Sequence, residues 1–191
     1  MSLQENFYAT KNLLLKILES NNMIQAIFFD RDGVLNEEVG YLWEVDKFKW
    51  IDGARDAIKF CNERGILTIV VTNQGGIAKG LYTAREVDVL HNFMQKSLSE
   101  IGAYIDAFYY CPHHIKGCVK EFSVECNCRK PKPGMILQAC KNFNIKPAQA
   151  ILFGDSERDI EAAKAAGLRS GIFFTGGNLF EEVYKHVEGA S

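Results

Sequence analysis

The sequence lacks any excess of positive charge: 22 Lys and Arg stand against 24 Asp and Glu, for a net charge of −2. A nucleic-acid partner needs a basic track that displaces counterions from phosphates, and a polybasic membrane anchor needs a run of cations, so neither is expected. Long apolar runs are missing too. None approaches the roughly 20 residues that cross a bilayer. Leu13, Leu14 and Leu15 are flanked by Lys16, Glu19 and Ser20-Asn21-Asn22, which makes a poor signal peptide. These absences lead to the expectation of a cytoplasmic protein. In a reducing compartment the six cysteines read as metal ligands, catalytic groups or small core residues rather than disulfides. What is present, 47% hydrophobic and 24% charged residues in a chain of 191, suits a soluble domain with a real core.

The chain divides into two parts. Residues 3–19 carry Phe7, Leu14, Leu15 and Leu18 on one side of an expected helix. Residues 1–22 thus read as an accessory helix packed on the domain, or as a partner-docking or dimer helix, and the rest, 23–191, as the main domain. There, short apolar runs at 25–29, 66–71, 105–110, 150–153 and 171–174 read as buried strands. Helical patterns lie between them at 53–63, 83–101, 134–143 and 157–166. The second has Val87, Leu90, Met94, Leu98 and Ile101 on one stripe, with Thr83 and Glu86 as a capping box. Alternating strands and helices predict an α/β fold in three layers, a central parallel sheet with helices on both faces. Ligands in such sheets bind beyond the carboxyl ends of the strands. Asp30, Thr72, Cys111 and Asp155 are all expected just past strand ends, on one rim.

Chemistry gathers on that rim. Asp30 and Asp32 flank Arg31, and alternate side chains of an extended segment face one way. Gly33 then permits a sharp turn. Two carboxylates at one spot repel unless a cation or shared proton relieves them, which points to a divalent metal. Asp155 supplies a third carboxylate, and oxygen ligands of this kind suit Mg²⁺. Asp159 either supports the site from behind or complements the dipole of the helix it opens. Thr72 and Asn73 offer a hydroxyl, an amide and backbone N–H groups to phosphate oxygens, beside glycines that allow close approach. Arg129 and Lys130 offer cations, held in a loop stiffened by Pro131 and Pro133.

The motifs DRDGV (30–34), VVTN (70–73), Lys130 within RKPKPG and GDSERD (154–159), in this order, resemble those of the haloacid dehalogenase superfamily of phosphotransferases. The resemblance implies that Asp30 forms an aspartyl-phosphate and that Asp32 moves the proton. It implies that Asp30, the Asp32 main-chain carbonyl and Asp155 hold Mg²⁺, and that Thr72 and Lys130 hold the phosphoryl oxygens. Over about residues 24–175 the chain looks like the heptose 1,7-bisphosphate phosphatase group, whose close relatives are the histidinol-phosphate phosphatases. The implied substrate is a small phosphorylated sugar, with histidinol phosphate as the alternative, and the implied assembly a monomer or weak homodimer. Little sequence separates the motifs, so no large cap domain is expected, and loops 37–50, 75–82 and 111–135 are left to set specificity. Tyr41, Trp43 and Trp50 would line a sugar or pack beneath these loops. The fourth motif carries Ser156 where many of the group carry a lysine, so a cation beside the metal is missing.

In that group a zinc ion holds a loop, and the spacing here supports one. Cys111 and His113 are two positions apart, as are Cys126 and Cys128, so each pair can bite a single ion. The two bites give a Cys₃His tetrahedron, a closed structural site inserted at 111–128, and its fourth ligand adjoins Arg129 and Lys130. His114 and Cys118 are left out, although either could replace a ligand. Cys61 and Cys140 fall in helical patterns as small apolar residues.

Overall fold

The structure, a computed structural model, describes residues 23–189. The helix expected at 3–19 lies outside them. Five strands, β1 (Ala26–Phe29), β2 (Leu67–Asn73), β3 (Ala107–Cys111), β4 (Ala150–Gly154) and β5 (Ser170–Phe173), form one sheet. Their order is β3-β2-β1-β4-β5 and every pairing is parallel. The helices are α1 (Ala54–Glu63), α2 (Ala84–Ser99), α3 (Gly134–Phe143), α4 (Glu157–Ala165) and α5 (Leu179–Glu188).

Strand alternation builds the three layers. Ile27 and Phe29 point to one face, where they meet Ala57 and Ile58 of α1, Leu90 and Met94 of α2, and Leu179 and Val183 of α5. Ala26 and Phe28 point to the other, against Ile136 and Ala139 of α3 and Ala162 and Ala163 of α4. Phe28 and Phe29 are wholly buried, and each such ring contributes about 2–3 kcal/mol of transfer free energy. The Thr83–Glu86 capping box forms as expected.

Three differences from the sequence expectations have local causes. β2 runs on through Thr72 and Asn73 because Asn73 pairs with Cys111 of β3, so Thr72 and Cys111 lie within strands rather than past their ends. Asp30 and Asp155 do follow their strands directly. Ile101 lies beyond the end of α2, which stops at Ser99. Helix α5 was not expected, although Asn178 caps it through the Glu181 N–H and its face packs on α1. Between β1 and β2 the described residues hold only loop, a short 3₁₀ turn at Val45–Lys47 and α1, so no cap domain stands there. Among the described residues no helix is long and apolar enough to cross a membrane.

Candidate active site

The central strand places the first carboxylate. The Asp30 N–H donates to the Phe153 carbonyl at 2.9 Å, which ties the end of β1 to the end of β4. The chain then turns at Gly33, with φ of +81°. A Cβ on Gly33 would stand 2.0 Å from Asp155 Oδ2, so glycine is required for the turn and for the approach of Asp155. Asp30 Oδ1 accepts the Arg31 N–H at 2.7 Å and pairs with Lys130 Nζ at 2.9 Å. Burial pushes the Asp30 carboxyl up to about 7, against the pull of Lys130.

Lys130 is 2% exposed. Its ammonium pairs with Asp30 Oδ1 and, at 2.6 Å, with Asp159 Oδ1, and donates to the Val71 carbonyl at 2.7 Å. Its backbone is clamped by Asn73: the Lys130 N–H donates to Asn73 Oδ1, and Asn73 Nδ2 donates to the Lys130 carbonyl, both at 3.0 Å. The Asn73 side chain, expected to face phosphate, is thus engaged with Lys130, although the residue borders the cavity. Asp159 fulfils both of its expected roles. One oxygen pairs with Lys130, while the other accepts from the Ser156 N–H and hydroxyl at the start of α4. Ser156 therefore caps a helix, and Arg158 supplies a cation to the cavity wall two residues on.

Asp30, Asp155 and Asp159 present oxygens within 4.8 Å of one another. Asp155 Oδ1 is buried without a partner among the described residues. An orphaned carboxylate oxygen facing further carboxylates suits a hard cation such as Mg²⁺. Burial also pushes the Asp155 carboxyl up, and Asp159 adds to the effect. Asp32 departs from the expectation that its side chain joins this group. Its Oδ1 accepts from Arg31 Nε, Arg31 Nη2 and Asn36 Nδ2, and its Oδ2 from Arg31 Nη2 and Gln74 Nε2. Thr72 is buried, and its hydroxyl accepts from Gln74 Nε2 at 2.9 Å.

Asp30, Asp32 and Thr72 line a cavity of about 350 Å³ together with Glu38, Tyr41 and Arg129. A second groove of about 610 Å³ adjoins it, sharing Lys79, His114 and Arg129 and adding Lys116 and Lys132. Trp43 and Trp50 pack beneath the loops, as weighed, Trp50 edge-on to Phe48 at 4.9 Å. Tyr41 stays exposed beside the cavity. The sequence reading did not single out Gln74, Tyr82, Arg158 or Lys79; the TNQ run, which sets Thr72 and Gln74 two positions apart at the end of β2, was the available signal.

The four expected zinc ligands converge. Cys128 Sγ lies 3.0 Å from Cys111 Sγ, Cys126 Sγ 3.5 Å from Cys111 Sγ, and His113 Nδ1 3.3 Å from Cys128 Sγ. Three sulfurs and an imidazole within 4.8 Å of one another are the donor set of a closed zinc tetrahedron. His114 faces the two cavities instead, and the Cys118 sulfur meets the Lys79 carbonyl, so neither joins the cluster. Arg129 follows Cys128 at once and donates to the His113 carbonyl at 3.1 Å. Cys61 and Cys140 are buried in the core.

Residues 29–167 match the model of the haloacid dehalogenase-like hydrolase family. The chain is 46% identical over 145 residues to the D-glycero-beta-D-manno-heptose-1,7-bisphosphate 7-phosphatase of Yersinia pestis, covering 76% of this chain and 77% of that protein. The enzyme of the same name from Escherichia coli K12 is 43% identical, over 76% of each chain. Among solved structures, a D,D-heptose 1,7-bisphosphate phosphatase from B. bronchiseptica, complexed with magnesium and phosphate, superposes with a TM-score of 0.72 at 27% identity, over 85% of this chain and 87% of that one. A HAD-like phosphatase from Mesorhizobium loti reaches a TM-score of 0.80 at 26% identity, over 88% of both.

Proposed function

The chain belongs to the haloacid dehalogenase-like hydrolase family and is a phosphatase, and from that premise we propose that it removes the 7-phosphate of D-glycero-D-manno-heptose 1,7-bisphosphate through an aspartyl-phosphate. The observation that carries the reading is the convergence of Asp30, Asp155 and the buried Lys130 at one sheet edge. Identities of 43–46% to enzymes bearing that name support the substrate.

The residues divide the labour. Asp30 Oδ1 receives the Arg31 N–H and Lys130, so Oδ2 is the oxygen that attacks phosphorus. As the P–O bond to the sugar breaks, Asp32 gives its proton to the departing oxygen. In the second half-reaction Asp32 takes a proton from water, the water oxygen attacks phosphorus, and Asp30 and inorganic phosphate are released. Thr72 donates its hydroxyl proton to a phosphoryl oxygen, and Lys130 holds the nucleophile and offsets charge. Mg²⁺, held by Asp30, Asp155 and the Asp32 carbonyl, would neutralise charge on the transferring group. Zinc held by Cys111, His113, Cys126 and Cys128 would act from a distance, by fixing the loop that carries Arg129 and Lys130. On this reading the partner is a small phosphorylated sugar and the site of action the cytoplasm.

Phosphate release with Mg²⁺ tests it, using the heptose bisphosphate, histidinol phosphate and fructose 1,6-bisphosphate, with Asp30→Asn as the blank. The heptose substrate should lead by about 100-fold in kcat/KM, or about 2.7 kcal/mol in the transition state. A lead for histidinol phosphate would remove the substrate assignment and keep the chemistry.

A further inference from the structure

Asp32 must meet two different oxygens in turn, the sugar oxygen that leaves and the water that arrives. Its carboxylate therefore has to be aimed, and aiming needs neighbours whose own positions are settled. Arg31, fully buried and donating to the Leu42 carbonyl at 2.9 Å, holds one side of the carboxylate. The remaining contacts come from Asn36 at 3.1 Å and from Gln74, the residue after β2, at 3.0 Å.

Gln74 is 2% exposed, and its amide has one arrangement that satisfies every neighbour. The two N–H bonds of Nε2 reach Asp32 Oδ2 and, at 2.9 Å, Thr72 Oγ1. Oε1 lies 2.6 Å from the Tyr82 hydroxyl. A flipped amide would set its oxygen against a carboxylate, so the phenol is what selects the orientation. Two observations say that Tyr82 is the donor. Burial pushes its hydroxyl up to about 12, so it keeps its proton, and the Gly76 main-chain N–H faces the phenol oxygen from the other side. The ring is itself held, since a Cβ on Gly76 would come within 2.2 Å of it.

We propose that Tyr82 and Gln74 form a positioning relay that runs from the loop after β2 to the carboxylate of Asp32 and sets the direction in which it transfers its proton. The same Gln74 amide occupies a lone pair of Thr72, which leaves the Thr72 hydroxyl proton for the phosphoryl group. Tyr82 acts on these groups only through Gln74, and Gln74 acts by holding Asp32 and Thr72. The proposal rests on the aspartyl-phosphate chemistry above, but not on the identity of the sugar.

A leaving group that departs without a proton separates aiming from mere structure. Each variant is assayed with any alkyl phosphate that the wild type hydrolyses and with p-nitrophenyl phosphate, comparing kcat/KM, which reports the step where the leaving group departs. Tyr82→Phe should lose about ten-fold on the alkyl phosphate and less than about three-fold on the aryl phosphate, with KM nearly unchanged. Gln74→Glu keeps the shape and presents an acceptor to Asp32; it should lose about 100-fold with the same preference. Thermal melts accompany both, and if Tyr82→Phe does not fold, Gln74→Glu decides alone. Equal losses on the two substrates, or no loss on the alkyl phosphate, would overturn the relay. A wild type no better than Asp30→Asn on either phosphate would instead sink the phosphatase chemistry on which it rests.

Discussion

At the scale of single residues the site is governed by buried charge. Lys130 is tolerated inside because two carboxylates and a main-chain carbonyl surround its ammonium. Its place beside Asp30 was legible from the RKPKPG run and the order of the motifs. Asp159 as its second partner was weighed only as one of two roles, because which way a first-turn acid faces depends on the helix's rotation. Gln74 and Tyr82 were illegible for a stronger reason: their roles exist only once the Tyr82 ring lies against Gly76. Another buried group makes a prediction. His91 stacks on Phe108 at 4.3 Å, and its Nε2 has no hydrogen-bond partner among the described residues. Burial, helped by the Arg31 guanidinium, pushes its pKa down to about 3. The unfolded imidazole takes a proton below about 6.5 while the folded one stays neutral. Stability from this residue is therefore complete above about 6.5 and falls on acidification towards 3. Between about pH 7 and pH 5 the wild type should lose about 2 kcal/mol more than His91→Phe in urea unfolding. Parallel pH profiles for the two proteins would contradict the assignment.

At the scale of elements, the loop from β3 to α3 decides how well the cations are placed. Residues 112–133 carry no helix or strand, yet they hold Arg129 and Lys130. Two anchors fix them: the Asn73 clamp and the Cys₃His cluster. Cys126→Ser should lower bound zinc below about half an equivalent and kcat/KM about ten-fold. Metal content by atomic absorption and a phosphate-release assay read the two effects, and a zinc-free variant with undiminished turnover would leave the ion without a part in placing Lys130. The cysteine spacing announced this cluster because a two-residue bite is local geometry. The extension of β2 through Asn73 was not announced, since it depends on pairing with a strand more than thirty positions away.

At the scale of the whole molecule, an overall charge of −2 coexists with three cations at the rim of the cavity. Lys79, Arg129 and Arg158 border the cavity, and three neighbouring cations, after burial, hold the His114 imidazole below its usual range. A dianionic phosphate far from the reacting one should meet these groups. Raising NaCl from about 20 to about 200 mM should then raise KM for a bisphosphate several-fold, and for a monophosphate by less than about two-fold. Steady-state kinetics at the two salt levels check this; equal shifts would place the second phosphate elsewhere. The five-stranded layout was legible because each strand is a short apolar run, whereas the mouth is built from loops whose meeting no periodicity encodes.

The strand order has a consequence in time. A ribosome makes β1 and Asp30 before either neighbouring strand, for β1 lies between β2 and β4, and Asp155 and Asp159 come only after β4. Until those residues emerge, the Lys130 ammonium lacks one of its two carboxylates and β1 has an open edge. A nascent chain therefore carries Asp30 in an unfinished site until β4 and the two aspartates that follow it have been made.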